Sequence, residues 1–279
     1  MGRPDGKRIK NLSVEYLVGA HIMAKRSDAM NAITLNIPVE PIRRYLNAKR
    51  KEGKRYGYLT VIVAAIIRVI SQYPGLNRFV INKNIYARNE ISIGMVVLKG
   101  GKIDGVGTMD KMRFTPDMTI EDVDRVITEY VEKNRSEDDV NGTDKVAGIL
   151  TSIPGLLRVG VSLLKWMDKH SIMPKKIVEI SPFHCSLVLT NLASIKTNAI
   201  YHHAYDFGTT SMTLAMGQFE NQVAVKKGET VVERVMPLGL VMDERIASGA
   251  YFAMAFHEYQ KYMADPAMLE VPPEKIVTE

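Results

Sequence analysis

The stretch from Leu59 to Tyr73 constrains the fold more than any other part of the chain. Leu59, Val61, Ile62, Val63, Ala64, Ala65, Ile66, Ile67, Val69 and Ile70 leave it without a continuous polar face. Thr60 stands at its start, and Arg68 and Gln72 near its end. A helix that is apolar nearly all round must be surrounded, either by protein or by lipid. At 15 residues it is short for a bilayer span, which needs about 20. It is therefore expected to be a helix buried on most faces and ended by Pro74-Gly75. A chain of 279 residues is long enough for that, since it buries roughly 75% of its unfolded surface.

Strand and helix patterns are interspersed around this segment. Val14, Leu17, Val18, His21 and Ile22 predict a helix near 13–25. Residues 32–39 alternate (Ile33, Leu35, Ile37, Val39) as a strand does, and Pro41 then opens a helix running to Gly53. A hairpin is expected around Asn82-Lys83-Asn84, and a strand over 91–98. A helix over 119–134 has Thr119 as its cap, with Asp122 three residues on. Residues 136–143, with Glu137, Asp138 and Asp139, read as an exposed loop. Residues 146–167 are apolar and broken at Pro154-Gly155. Their second half (Val159, Leu163, Trp166) suits a helix covering the core or a subunit contact. A helix lying on a membrane surface is the less favoured reading. Strands follow over 186–189 and 212–216. A hairpin is expected around Lys227-Gly228, then a separate strand over 237–242 and a last helix over 249–263. Together these predict an α/β domain with a mixed sheet, in no strict βαβ order.

Charge and cysteine narrow the partners. Net charge is +6, and Lys49 to Arg55 is the densest basic stretch. No RNA- or DNA-binding motif accompanies it, so no nucleic-acid partner is expected, and the stretch reads as a solvated helix end. Glycine-rich phosphate loops are absent. One cysteine, Cys185, cannot form an internal disulfide, and it reads as a buried structural thiol. The basic N-terminus has no apolar stretch behind it, so a soluble, cytoplasmic protein is expected.

The C-terminal third carries a specific resemblance. Met236 to Ala250, with Asp243-Glu244-Arg245 inside it, is similar to the D-H-R-x-x-D-G segment of 2-oxoacid dehydrogenase acyltransferase catalytic domains. The chloramphenicol acetyltransferases share that segment as H-H-x-x-x-D-G. Ser186 to Leu192 resembles the F-T-I-S-N-L-G strand, and Leu214 to Gly217 the L-A-V-G strand. Tyr73-Pro74-Gly75-Leu76-Asn77 resembles F-P-x-L-N, and Ile91 to Val97 resembles N-I-G-x-A-V. Tyr201-His202-His203-Ala204-Tyr205 and Asp243-Glu244-Arg245-Ile246 also resemble stretches of small stand-alone bacterial relatives. The likeness runs in order over about residues 9–270.

That resemblance implies a chloramphenicol acetyltransferase-like fold: a two-layer α/β sandwich on a mixed sheet, forming one catalytic domain over 1–279. It implies a homotrimer with sites between subunits. Coenzyme A enters from one side and a small-molecule acyl acceptor from the other. The family's lipoyl and peripheral-subunit-binding domains have no counterpart in the pattern. Glu270 to Glu279, beyond Leu269, favours an isolated trimer over a cage.

By carry-over, Thr190 is the hydroxyl that donates to the tetrahedral oxyanion, and Asn191 and Arg245 contact the cofactor. Glu244 stands where the family has its catalytic histidine, and Ser248 where it usually has Asp. A glutamate is a poorer base for a thiol than histidine unless an apolar pocket surrounds it. Glu244 thus reads as a replacement base or, more simply, as a structural carboxylate pairing Arg245 or a lysine. A catalytically inactive trimeric scaffold is the alternative function. His202 and His203 are the other candidates for the base. They have no evident third ligand, so no metal site is expected. Gly249 is expected to be a tight or unusual position at the start of the last helix.

Overall fold

The computed structural model describes residues 3–101, 107–136 and 142–279. In chain order its elements are β1 (Gly6–Arg8), α1 (Val14–Ile22), β2 (Met30–Pro38), α2 (Val39–Lys51), α3 (Tyr58–Gln72), β3 (Arg78–Ile81), β4 (Asn84–Arg88), β5 (Ile91–Leu98), β6 (Gly107–Phe114), α4 (Ile120–Arg135), α5 (Gly142–Thr151), α6 (Leu156–Lys169), α7 (Lys175–Ile180), β7 (Leu187–Asn191), β8 (Met212–Met216), β9 (Glu220–Lys226), β10 (Glu229–Asp243) and α8 (Gly249–Ala264).

The main sheet runs in the order β2-β10-β8-β7-β5-β6, with β9 paired to β10. β5 with β7 and β7 with β8 are parallel, and the other pairs are antiparallel. A second layer of helices covers one face of this mixed sheet. α3 is at its centre, with every residue from Thr60 to Ser71 buried. α4 and α8 pack beside it, and the sheet offers Leu35, Ile37, Ile93, Leu187, Leu189, Leu214, Leu238 and Leu240 from below. Fully buried side chains such as Ile62 and Ile67 each stabilise the fold by about 1.5–3 kcal/mol. The small sheet β1-β4-β3 stands apart, with Phe79 stacked on Tyr86 and the Arg88 guanidinium 4.6 Å from the Phe79 ring centre.

Over β8, β10 and β2 the opposite face of the main sheet is covered by irregular chain. Gly239 of β10 makes this approach possible: a Cβ there would lie 2.2 Å from the Ile200 carbonyl oxygen. Thr213 Oγ1 donates to the His202 carbonyl at 2.8 Å, and Tyr201 and Thr34 share a hydroxyl hydrogen bond of 2.6 Å. The segment 199–206 therefore crosses β8, β10 and β2 on the side away from the core.

Several sequence expectations hold. The hairpin turns at Asn82 and Lys83, both with positive φ. Thr119 and Asp122 form a reciprocal cap on α4. The basic stretch ends α2 and turns at Gly53 (φ +86°), with Lys49 paired to Glu52 and Glu270.

Others are corrected. The second arm of the Lys227-Gly228 hairpin and the strand expected over 237–242 are one, β10. Proline breaks ladders, but Pro237 falls where one neighbour of β10 changes from β9 (up to Val235) to β8 (from Leu238). Gly249 is exposed and a Cβ there meets nothing within 4 Å, so it is neither tight nor strained. Within the expected loop, residues 137–141 lie outside the described residues, and Gly142 and Thr143 already belong to α5. β1, β6 and α7 were not anticipated. The apolar stripe of α6 does not cover the core: Val159, Leu163 and Trp166 are each more than half exposed.

Candidate active site

The turn after β10 carries the motif residues and is held by a buried ion pair. Asp243 Oδ1 accepts from the backbone N–H and Nε of Arg245 at 3.1 and 2.8 Å, and its Oδ2 accepts from Nη2 at 2.6 Å. Arg26 Nε lies 3.6 Å from that second oxygen. All three residues are at most 4% exposed. Arg26 also donates to the carbonyls of Tyr205 and Gly208, and Arg245 to that of Met23. Burial, opposed by the charge of Asp243, lowers the Arg26 guanidinium from its ordinary value. A bidentate pair of this kind fixes the turn's geometry as well as its charge.

Glu244 points the other way. Its N–H donates to the Ala29 carbonyl at 2.9 Å, while its side chain is exposed and accepts from Asn31 Nδ2 at 2.5 Å. It does not pair with Arg245, whose guanidinium is taken by Asp243. Ser248 caps α8: its Oγ accepts from the Tyr251 N–H at 3.3 Å, and its own N–H donates to the Tyr16 hydroxyl. Serine and aspartate are equally good caps, which gives Ser248 a local reason to stand at this position.

Thr190 and Asn191 end β7. Asn191 Oδ1 accepts from the Ser194 N–H at 3.3 Å, so this side chain is used locally to cap a short turn of helix. Thr190 lies opposite Ala215 on β8, and Ala215 opposite Gly239 on β10. β10 ends at Asp243, four residues further along that strand, and Glu244 follows in the turn. The register puts Thr190 roughly 14 Å along the strands and about 10 Å across them from the end of β10, where the Glu244 turn begins. One protomer does not bring Thr190 within reach of its own Glu244.

The histidine pair sits nearer the Glu244 end. The two rings stack with centres 4.9 Å apart, and His202 Nδ1 donates to the His203 carbonyl at 2.9 Å. Tyr205 meets His203 edge-on. Asp206 Oδ1 accepts from the N–H groups of Arg26 and Ser27, which ties this segment to the base of the Glu244 turn. Behind the turn a cleft of about 390 Å³ is lined by Lys25, Arg26, Lys83, Lys165, Lys169 and Arg245, with Asp168 and Asp206 as its carboxylates. Cys185 is buried, with burial raising its thiol against a hydrogen bond to Thr210.

Sequence reasoning missed Arg26 and Asn31. Arg26 is far from Asp243 in the chain and carries no local signal. Asn31 shows only as a polar position at the start of the edge strand β2. Among the described residues, no group of three or more His, Cys, Asp or Glu side chains could hold a metal ion.

The sequence pattern described as 2-oxoacid dehydrogenases acyltransferase (catalytic domain) matches residues 207–271. That range includes Glu244 and Ser248 but not Thr190, His202 or His203. A search of curated proteins found no match. Among solved structures, the fold is similar to that of a probable dihydrolipoamide acetyltransferase from Listeria monocytogenes 4b F2365. The two share 13% identity over 92% of this chain and 94% of that one, with a TM-score of 0.59. It is similar to a dihydrolipoamide acetyltransferase from Azotobacter vinelandii at 14% identity over 94% and 93%, TM-score 0.60. It is similar to a chloramphenicol acetyltransferase at 10% identity over 92% and 99%, TM-score 0.56. In fold over most of its length, and in sequence over residues 207–271, this chain therefore resembles the catalytic domain of the 2-oxoacid dehydrogenase acyltransferases and has chloramphenicol acetyltransferase-like architecture.

Proposed function

We propose that the protein is a homotrimeric acyltransferase acting on coenzyme A thioesters, with each site shared between two subunits. The Glu244 turn comes from one subunit and Thr190 from the next. The observation that carries this reading is the Asp243–Arg245 pair with Arg26 beside it. This buried clamp holds the motif turn in a fixed shape although the residue it presents has changed. The separation of Thr190 from Glu244 within a protomer supports a shared site. The cationic cleft behind the turn suits the phosphates of the acyl carrier.

In the reaction, an acceptor thiol or hydroxyl attacks the thioester carbonyl carbon. A base takes its proton, and the carbonyl oxygen becomes an oxyanion that accepts a hydrogen bond from Thr190. The C–S bond then breaks, and the coenzyme thiolate is protonated as it leaves. Glu244 occupies the base position, with His203 as the next candidate. Glu244 lies exposed and hydrogen-bonded to Asn31, outside any apolar pocket of the protomer, so transfer to dihydrolipoamide or chloramphenicol is expected to be slow.

The same exposure favours a second reading, a trimer that binds without catalysing. Calorimetric titration with acetyl-coenzyme A, paired with a turnover assay, separates the two. Binding with slow turnover supports the transferase. Binding with no turnover in any variant supports the scaffold. Absence of binding overturns the site itself.

A further inference from the structure

The pair α5 and α6 forms a surface that the protomer does not use. Ile149, Ile153, Leu157, Val159, Leu163 and Trp166 are 48–65% exposed. On α6 the residues Val159, Leu163 and Trp166 follow at i, i+4 and i+7, which puts them on one stripe. Arg158, Lys165 and Lys169 follow at i, i+7 and i+11 and make a second stripe beside the first. The third side of the helix, Leu156, Leu164, Met167 and Asp168, faces the protein. The helix is therefore already seated, and its apolar stripe is surplus to its packing.

Charge selects the occupant. Residues 142–169 contain two carboxylates, and both are engaged inward. Asp168 is 3% exposed and bound to Arg3, and Asp144 accepts from Thr108 and lies 3.5 Å from Lys99. Among the described residues of α5 and α6, nothing acidic is left on the outer face to neutralise Arg158, Lys165 and Lys169. Lys165 and Lys169 also line the cleft shared with Lys25 and Lys83, so the positive surface continues past the helix. A like-for-like contact between copies would bring these cations together. An anionic bilayer takes both stripes at once: cations at the phosphates, and Trp166, Leu163 and Val159 at the boundary with the acyl chains. Among the described residues no helix is long and apolar enough to cross a membrane, so the helix would lie on the surface.

We propose that the exposed face of α5 and α6 docks the protein peripherally on anionic phospholipid bilayers. Trp166 is the only tryptophan of the chain, so its fluorescence reports on this face alone. Vesicles of phosphatidylcholine with one third phosphatidylglycerol should float the protein and shift Trp166 emission to the blue. Vesicles of phosphatidylcholine alone should do so far less. Lys165→Glu with Lys169→Glu should lower the partition by at least about tenfold. Leu163→Glu should abolish the shift. Both changes fall on exposed side chains, and an unchanged melting temperature will show that each variant is folded. Three results would overturn the proposal: no flotation on anionic vesicles, equal binding to neutral and anionic vesicles, or a Trp166 already shielded from a water-soluble quencher without lipid. In the last case another copy of the chain covers the face.

Discussion

Asn31 and Glu244 meet across the edge of the sheet, with the Asn31 amide donating to the Glu244 carboxylate at 2.5 Å. Asn31 lies opposite Met242 in the β2–β10 register, two residues before Glu244. The contact tethers the side chain at the motif position to the outermost strand. It gives Glu244 a structural partner that a histidine there need not have.

Restoring the family pattern tests what Glu244 does. Glu244→His with Ser248→Asp should raise acetyl transfer from acetyl-coenzyme A to dihydrolipoamide by about 10²–10⁴-fold, the usual contribution of a general base. The aspartate remains a good cap for α8, so the melting temperature should hold. If Glu244→Gln lowers the slow rate of the unmodified protein, Glu244 is its base. If His203→Ala lowers it and Glu244→Gln does not, the histidine is.

Gly239→Ala should disturb the same site from behind. The new methyl group would lie 2.2 Å from the Ile200 carbonyl oxygen, so the segment carrying His202 and His203 must move. Overpacking of this kind costs about 1–3 kcal/mol, readable as a shift in the urea midpoint. Gly249→Ala, with open space around it, should change stability little.

These two glycines show where the sequence was legible. α3 was plain because a run of apolar residues between Gly57 and Pro74 has one stable use. The hairpin at Asn82-Lys83 and the Thr119 cap were plain because they depend on residues next to one another. β6 was hidden because Asp110, Lys111 and Arg113 break its apolar pattern. Lys111 is nonetheless buried, with its ammonium donating to the carbonyls of Val178 and His184. Those partners lie some 70 residues away, and no local pattern announces them. At the candidate site, the motif resemblance names Glu244 and Thr190 as expectations. Asn31 and Arg26 needed the fold.

Acid should expose a second buried network, near the N-terminal segment. Arg3 Nη2 donates to Asp168 Oδ1 at 2.7 Å, and its Nε donates to Asp5 at 2.9 Å. His184 Nε2 lies 3.3 Å from the same Asp168 oxygen. Burial pushes both carboxyls up, but Arg3 and His184 outweigh it at Asp168, and Arg3, Arg88 and His184 at Asp5. Both end below the usual carboxylate range. The stability they contribute is present above the unfolded value, about 3.9, and is lost as pH falls through the lower folded values. Arg3→Met leaves Asp5 buried without its main partner and Asp168 with His184 alone, and should cost about 3–5 kcal/mol at neutral pH. With Asp5 relieved of the Arg3 hydrogen bonds that hold its carboxyl low while its burial remains, the variant should lose less stability on mild acidification than the unmodified protein. Urea unfolding at a series of pH values reads both slopes.

The distance between Thr190 and Glu244 predicts how the protein must assemble to act. Light scattering should give the mass of three chains at micromolar protein. A mixing experiment then tests the shared site. Subunits carrying Glu244→His, Ser248→Asp and Thr190→Ala have the restored base but no oxyanion hydroxyl. Subunits carrying only Glu244→Gln keep Thr190 and lack a base at 244. Each trimer alone should be nearly inert. Refolded together at equal amounts, about a quarter of the interfaces in a head-to-tail ring should pair the base of the first kind with the hydroxyl of the second. Activity should return to about that fraction of the restored enzyme's rate. If refolding together returns nothing while the restored variant is active, base and hydroxyl belong to one subunit, and the register that keeps them apart in this fold must change on assembly.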